Sequence, residues 1–331
     1  MKSGEVMFLT SADIRTLLTP DDCIAAIERV FRMYGEGQAS TPGVLSVHAT
    51  DGAFHIKAGL LNLNRSYFAA KINGNFPEND TRYGLPTIQG VISLHDATNG
   101  SVLALMDSRE ITCLRTAAAT AVAAKYLARA DAHTLTICGC GQQAPAQVRA
   151  LSRVCILQKV FTYDQNEDRA RQLALKLSAE LGISVTPIAD VRAAVRLSDL
   201  CITCTTSRAP LLQREDVGLG TFIAAVGADN PQKQELDPAL MAAGKIVVDI
   251  LDQCAAMGDL HHALDAHAVT RDDVHAELGE IVAGKKPGRE TRQEIAIFDS
   301  TGMALQDVAA VVLAFEKAEQ RGSGARLNFA G

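Results

Sequence analysis

The sequence predicts an α/β protein of two parts, a doubly wound parallel sheet and a second α+β domain built on an antiparallel sheet. Three observations carry this. Between Thr134 and Asp164 the stretch TLTICGCGQQAPAQVRALSRVCILQKVFTYD reads as apolar strand, glycine turn, helix, strand and terminal acid. From there to about residue 300, short apolar runs alternate with helical stretches, the pattern of repeated βα units. Before it, from about 43 to 107, strand-length runs follow one another with hairpin punctuation and no long helix between them.

Composition narrows the class. The 331 residues suffice for two domains with sizeable cores. Lys and Arg number 32 against 38 Asp and Glu, a net charge of −6 with no basic cluster, which argues against nucleic acid as a main partner. No run of 18 apolar residues is present, so no membrane helix is expected. The first twenty residues lack the pattern of a signal peptide, and the expected location is the cytoplasm. The eight cysteines read as buried thiols of a reducing compartment. Cys201 and Cys204 form a CxxC, but within a strand their side chains point to opposite faces, which suits no tetrahedral metal site.

In chain order, residues 9 to 37 carry two helical segments. Ser11 is expected to cap the first, and Thr19-Pro20-Asp21-Asp22 opens the second with proline in the first turn. Ile24, Ile27, Val30 and Phe31 form the apolar stripe of that helix. The strands of the next stretch are GVLSVH, AFHIKAG, YFAAKIN, TIQGVISLH and SVLALMD, with turns at Thr50-Asp51-Gly52 and at Asp96 to Gly100. Alternation puts Phe68, Ala70 and Ile72 on one face and Lys71 and Asn73 on the other; Phe54 and Ile56 oppose His55 and Lys57 in the same way. A face carrying Lys71, Asn73, His55 and Lys57 suits an anionic small molecule, or is an ordinary solvated face. An alanine-rich helix over about 108–129 follows. Arg115 and Thr116 are expected near its N-terminal end, where anions are favoured. Arg115 either forks onto a substrate carboxylate or makes a surface ion pair.

In the central stretch, Thr134 to Cys138 is apolar enough to be buried on both faces. Gly139, Gly141 and Ala144 occupy the three positions of the G-x-G-x-x-G/A fingerprint, for a tight turn, close backbone approach to a pyrophosphate, and helix–strand packing. A helix from about Gln142 to Arg153 then aims its N-terminal amides at the anion site. Asp164 ends the next strand, placed to accept hydrogen bonds from a ribose diol. These features together predict a dinucleotide site.

Beyond Asp164 come helices at about 167–181 and 190–197 and the strands ISVTPI, DLCITCT, TFIAAVG and KIVVDI. Asp229 falls past the carboxyl end of the TFIAAV strand, where ligands of such sheets bind, and is either a proton-transfer group or a helix cap. His261 and His262 are neighbours on one helix and share no face, so no metal is expected there. EIAIFDSTGMALQDVAAVVLAFEKAEQ supplies a strand, a Ser-Thr-Gly turn and a closing amphipathic helix. GSGARLNFAG at the end reads as loosely held.

Several of these stretches resemble the ornithine cyclodeaminase/mu-crystallin family, which includes alanine dehydrogenases and cyclic imine reductases. They are KINGNFPEN with GLPTIQG, ITCLRTAAATA, GCGQQA, GADNPQKQELD and FDSTGMALQDVA, spread from about 68 to 310. The resemblance implies an NAD-binding Rossmann domain over about 116–304. It also implies a substrate-binding and dimerisation domain over 1–115, completed by 305–331, and a homodimer. It implies that Lys71 and Arg115 hold a substrate carboxylate, with Lys71 counted among the catalytic residues, and that Asp229 is the acid/base. Thr116, Gly139, Gly141, Gln142 and Gln143 would contact NAD phosphates, Asp164 would select NAD over NADP, and Ser300 and Thr301 would lie near the nicotinamide.

The implied activity is NAD-dependent redox chemistry at the C–N bond of a small α-imino or α-amino acid. Cyclodeaminase-type lyase chemistry, or nucleotide binding with little turnover as in mu-crystallin, are the alternatives the resemblance carries. Two departures from the family pattern bear on the substrate. TPGVLSVH lacks an arginine that family members carry after the proline, and FHIKAG has His55 and Lys57 where cyclodeaminases have a glutamate. An acidic or neutral substrate fits that neighbourhood better than ornithine.

Overall fold

The computed structural model describes residues 4–328. The chain forms two compact units: the part up to Arg115 together with everything from Met303 onward, and the continuous stretch Thr116–Gly302.

The first unit opens with β1 (Glu5–Leu9), a strand with no counterpart in the sequence reading, and helices α1 (Ser11–Leu17) and α2 (Pro20–Gly35). The cap of α1 is Thr10, whose hydroxyl accepts from the amide of Asp13 while Asp13 reaches back; Ser11 is already helical. Thr19 and Asp22 make the same reciprocal box at α2, with Pro20 inside the first turn. The hairpin strands are β2 (Gly43–Ala49), β3 (Gly52–Asn62), β4 (Ser66–Asn75), β5 (Ile88–Asp96) and β6 (Val102–Asp107), with a one-turn helix α3 (Asn79–Tyr83) between β4 and β5. Helix α4 (Ser108–Leu127) follows, and the unit boundary falls inside it, after Arg115.

The second unit is built on an all-parallel sheet of eight strands. In chain order its elements are β7 (Thr134–Cys138), α5 (Gln143–Leu151), β8 (Lys159–Tyr163), α6 (Glu167–Leu181), β9 (Ser184–Pro187), α7 (Val191–Arg196), β10 (Leu200–Thr203), β11 (Arg208–Leu212) and β12 (Phe222–Ala225). They continue with β13 (Gln234–Leu236), α8 (Pro238–Ala243), β14 (Lys245–Val248), α9 (Leu251–Met257), α10 (Asp259–Asp265), β15 (Val274–Glu277), α11 (Leu278–Val282) and β16 (Ala296–Asp299). The sheet order is β15-β14-β16-β12-β10-β7-β8-β9, with β11 and β13 pairing apart from it. The order reverses direction at β7, which pairs with β8 on one side and β10 on the other; every residue of β7 is buried, as a two-sided parallel strand demands. This is the doubly wound Rossmann-type architecture that the alternation predicts.

The chain then returns to the first unit through α12 (Ala304–Arg321) and β17 (Ala325–Asn328). The sheet there runs β17-β1-β6-β5-β4-β3-β2, antiparallel throughout except for β1 beside β6. β17 pairs residue for residue with β1, so Ala325 to Asn328 are held in a sheet and the expectation of a loose end fails for them; the last three residues lie outside the described part. α12 packs on β3, β4 and α2. Gly59 makes the close approach possible, since a Cβ there would sit 2.9 Å from the side chain of Leu305. Buried Ile14, Ile27, Phe31, Leu61, Tyr67 and Ile92 fill the core of this unit. Tyr67 donates to Glu316 of α12 at 3.1 Å, and Asp22 accepts from Lys317, pinning the helix at its far end.

Candidate functional site

The polar face of β3 and β4 is not a solvated one. Lys57 stands directly opposite Lys71 and His55 opposite Asn73, so all four share a face. That face lies under α12, and Lys71 is only 4% exposed. The other face, with Phe54 42% and Ile72 43% exposed, is the one open to solvent. A groove of about 790 Å³ on this outer face is lined by Phe54, Ile72, Phe76, Tyr83, Leu85 and Val91, on the side away from Lys71.

Lys71 donates from Nζ to Oδ2 of Asp307 at 2.7 Å, and Arg115 donates from Nε to Oδ1 of the same carboxylate at 3.0 Å. The Nη1 of Arg115 donates to Oε1 of Gln306 at 2.9 Å, while Nε2 of Gln306 is buried without a hydrogen-bond partner. Arg115 is 5% and Asp307 2% exposed, so a surface ion pair is ruled out for Arg115. Arg115 also sits two turns inside α4 rather than at its start, so the helix terminus, whose influence fades within one turn, does not act on it.

Electrostatics within this cluster are lopsided. Burial pushes the Lys71 ammonium down to about 7; Asp307 opposes the shift, while the charges of Arg115 and Lys57 add to it. Asp307 moves in its own sense: burial raises its carboxyl, but the surrounding cations Lys71, Arg115 and Lys57 outweigh that and hold it below the ordinary carboxylate range. Three positive groups therefore bear on one carboxylate. Such a site attracts an anion and orients it through directed N–H donors.

His55 is half-buried, with Nδ1 3.1 Å from the hydroxyl of Ser46 on β2. Asn73 keeps a buried Oδ1 with no hydrogen-bond partner. The sequence reading missed Asp307 and Gln306. The available signal was a Gln-Asp pair in a helix start, ALQDVAAVV, that is otherwise apolar all round; a carboxylate buried there calls for a cation, directed N–H or O–H donors, or a proton.

In the second unit, Gly139 follows β7 with φ +92°, and a Cβ there would lie 2.8 Å from the carbonyl oxygen of Cys204, so only glycine fits. Beside Gly141 a Cβ would meet nothing within 4 Å, which leaves the backbone open to a ligand. Gln142 and Gln143 stand at the start of α5, and Ala144 is fully buried against the sheet. Asp164 Oδ2 accepts from the amide of Cys140 at 2.8 Å and Oδ1 from that of Asn166 at 2.9 Å. Each carboxylate oxygen retains a lone pair, which is what a ribose diol requires. The open turn, the glycine with positive φ and the acid at the end of β8 fit a dinucleotide. Thr116 is buried within α4, with its carbonyl accepting from Thr120 at 3.3 Å.

Asp229 lies in the loop after β12, its side chain 41% exposed, and accepts from Lys233 Nζ at 2.6 Å. It does not cap the next helix: Asp237 does, accepting from the amide of Ala239. Ser300 and Thr301 are buried after β16, and both hydroxyls donate to Asp249, at 3.0 and 3.2 Å. Asp249 also accepts from Gly302 N at 2.6 Å, so this fully buried carboxylate, absent from the sequence reading, shapes the Ser-Thr-Gly turn.

Two further buried acids sit nearby in the same unit. Burial and the charge of Glu235 push Asp259 up to about 7, and burial together with Asp259 raises Asp299 well above the usual range. Oδ2 of Asp259 and Oδ1 of Asp299 are both buried with no hydrogen-bond partner. His262 Nε2 lies 2.8 Å from the carbonyl of Lys233, and among the described residues no group of three or more His, Cys, Asp or Glu side chains is arranged to hold a metal ion. Among them too, no helix is long and apolar enough to cross a membrane.

The sequence profile of the ornithine cyclodeaminase/mu-crystallin family matches residues 4–322. The alanine dehydrogenase of Archaeoglobus fulgidus is 38% identical over 327 residues, 98% of this chain and 99% of that protein. Among solved structures, the Δ1-pyrroline-2-carboxylate reductase of Thermococcus litoralis, in complex with NADH and L-proline, is 34% identical with a TM-score of 0.92, covering 97% of this chain and 99% of the other. The iminosuccinate reductase of Paracoccus denitrificans, in complex with NAD+, is 33% identical with a TM-score of 0.90, covering 98% and 99%.

Proposed function

The chain belongs to the ornithine cyclodeaminase/mu-crystallin family, and on that footing we propose that it is an NAD-dependent oxidoreductase acting at the C–N bond of a small α-imino or α-amino acid. The observation that carries this reading is the buried convergence of Lys71 and Arg115 on Asp307, which leaves two cations with only one carboxylate between them. A substrate α-carboxylate is the anion that such a pair selects.

Bound NADH supplies the hydride in this chemistry. Gly139, Gly141, Gln142 and Gln143 present backbone amides to the pyrophosphate, with Thr116 among the phosphate contacts, and Asp164 takes the ribose hydroxyls and disfavours a 2′-phosphate. Ser300 and Thr301, fixed by Asp249, shape the nicotinamide end. Lys71 and Arg115 fix the carboxylate, and Asp229 delivers the proton to the imine nitrogen, or removes it from the amine in reverse. The Lys233 ammonium beside Asp229 keeps that carboxylate in place between turnovers.

The three relatives named above, at 33 to 38% identity over nearly their whole length, support redox rather than lyase chemistry. We further propose that the chain works as a homodimer joined through the apolar outer face around Phe54 and Ile72, with the cytoplasm as its location. The deciding experiment follows NADH consumption with 2-oxo acids plus ammonia and with preformed cyclic imines. Asp229→Asn should abolish turnover and leave NADH binding nearly intact; equal turnover in that variant removes Asp229 from the mechanism. Proline and ammonia formed from ornithine with catalytic NAD would replace the reading with a lyase.

A further inference from the structure

We propose that Glu235 is a positioning residue: its carboxylate fixes the two loops that leave the carboxyl ends of β10 and β12, and through the second of them the place of Asp229. The inference rests on the oxidoreductase reading, in which Asp229 moves the proton, and adds the group that holds Asp229 where it stands.

Glu235 lies on β13 and is fully buried. Its Oε2 accepts from the Thr203 hydroxyl at 2.8 Å and from the Gly227 amide at 2.9 Å. Its Oε1 accepts from the amide and the hydroxyl of Thr205, at 2.6 and 2.7 Å. These donors together fill the acceptor capacity of a carboxylate. Thr203 ends β10, Thr205 lies just past it, and Gly227 follows β12. The two strands are neighbours in the sheet, so one buried side chain joins them at the end where ligands of doubly wound sheets bind.

The Asp229 loop is closed by the same group. It leaves at Gly227 and returns at Glu235, and the bond between these two draws its ends together, as in a compact Ω-loop. Inside the loop, Lys233 donates from Nζ to Asp229 at 2.6 Å and from its amide to the carbonyl of Asn230 at 3.2 Å. Gly227 has no substitute, because a Cβ there would lie 2.5 Å from the carbonyl oxygen of Thr205 and 2.6 Å from Oε1 of Glu235. The β10 side has ties of its own: Cys204 donates from its amide to the carbonyl of Cys138 at 2.9 Å and from its thiol to that of Gly139 at 3.1 Å. Loss of the carboxylate should therefore displace the Asp229 loop and spare the glycine turn. A glutamine cannot replace it. Whichever way its amide is turned, the NH2 group faces a backbone N–H, that of Thr205 or that of Gly227, and neither can accept.

The test uses the full chain and the imine that the wild type reduces fastest. Glu235→Gln should lower kcat by about 100-fold, while NADH affinity, read by fluorescence, stays within about 3-fold of the wild type. The slowed step is proton transfer, so the solvent deuterium isotope effect on kcat should grow; a variant that is merely less well folded loses rate without changing that effect. Thr203→Val removes a single donor and serves if the first variant does not fold. It should lower kcat by about 10-fold, and Thr203→Ser should restore it. Wild-type kcat in Glu235→Gln, or an NADH affinity that falls as far as kcat does, overturns the proposal. Hydrogen exchange supplies the arm that needs no turnover. In Glu235→Gln the amides of Thr205 and of 227–234 should exchange faster, while those of 139–143 keep wild-type protection. Full turnover in Asp229→Asn would sink the acid/base reading and leave the loop clamp to stand or fall on exchange. Unchanged exchange at Gly227, with Asp229→Asn inactive, would do the reverse.

Discussion

Lys71 and Asp307 are 236 residues apart in the chain and meet through a 2.7 Å hydrogen bond with both side chains buried. The contact joins β4 to α12 and presents, with Arg115, the basic pair to which the proposed substrate binds. A buried ion pair is costly to break from one side, because the remaining charge has no water to turn to.

Asp307→Ala is therefore expected to lose about 3–5 kcal/mol of stability, the cost of orphaning one member of such a pair. Urea denaturation followed by circular dichroism measures it. A variant as stable as the wild type would mean that Lys71 and Arg115 find other partners.

The proton on Lys71 is held only loosely, because burial drives it down to about 7. A carboxylate ligand binds the charged form, so its affinity should fall as pH rises through about 7 and approach a tenfold loss per further pH unit. Asp307 works to keep the proton on Lys71, so Asp307→Asn should move the fall to lower pH. Titration of succinate or propionate affinity between pH 6 and 9 reads both effects; a flat profile contradicts the assignment.

Asp259 predicts a pH trend for stability itself. Its pKa stands near 7 in the folded protein, against 3.8 when exposed. Between about pH 4 and 7 the folded state thus holds a proton that the unfolded state has released, and stability declines as pH rises across that window. Asp259→Asn keeps an oxygen to accept from the amides of Glu235 and Leu236. That variant should show a flatter curve from pH 4 to 7 and exceed the wild type in stability at pH 8, by chemical denaturation at each pH.

Ile72→Lys tests the outer face. A charge there should convert a dimer to a monomer by sedimentation while leaving Lys71, which points the other way, in its place. A monomeric wild type would refute the proposed interface.

Much of this was legible in the sequence because it is local. β7, the glycine turn, α5 and Asp164 lie within thirty-one consecutive residues, and each position has a backbone reason to be what it is. Alternation along β3 and β4 likewise sorted Lys71, Asn73, His55 and Lys57 onto one face. What it could not assign was which face is covered. That depends on α12, which arrives from the far end of the chain, and it makes the charged side the interior one and the aromatic side the exterior. Asp307 and Asp249 escaped for the same reason: a carboxylate is recognised as buried only when the strand or helix lying over it is known. β1 and β17 were missed because each is short and finds its partner across nearly the whole length of the sequence.

The split composition of the first unit also imposes an order on its making. A ribosome adding about 5–20 residues per second needs on the order of 10–50 s to travel from Lys71 to Asp307. During that interval the sheet that will carry the basic pair lacks both its covering helix and its last strand, whereas the uninterrupted second unit is synthesised from end to end before α12 emerges. The nascent protein therefore spends its most aggregation-prone moments with the amino-terminal hairpins uncovered, and chaperone dependence is expected to fall on them rather than on the nucleotide-binding half.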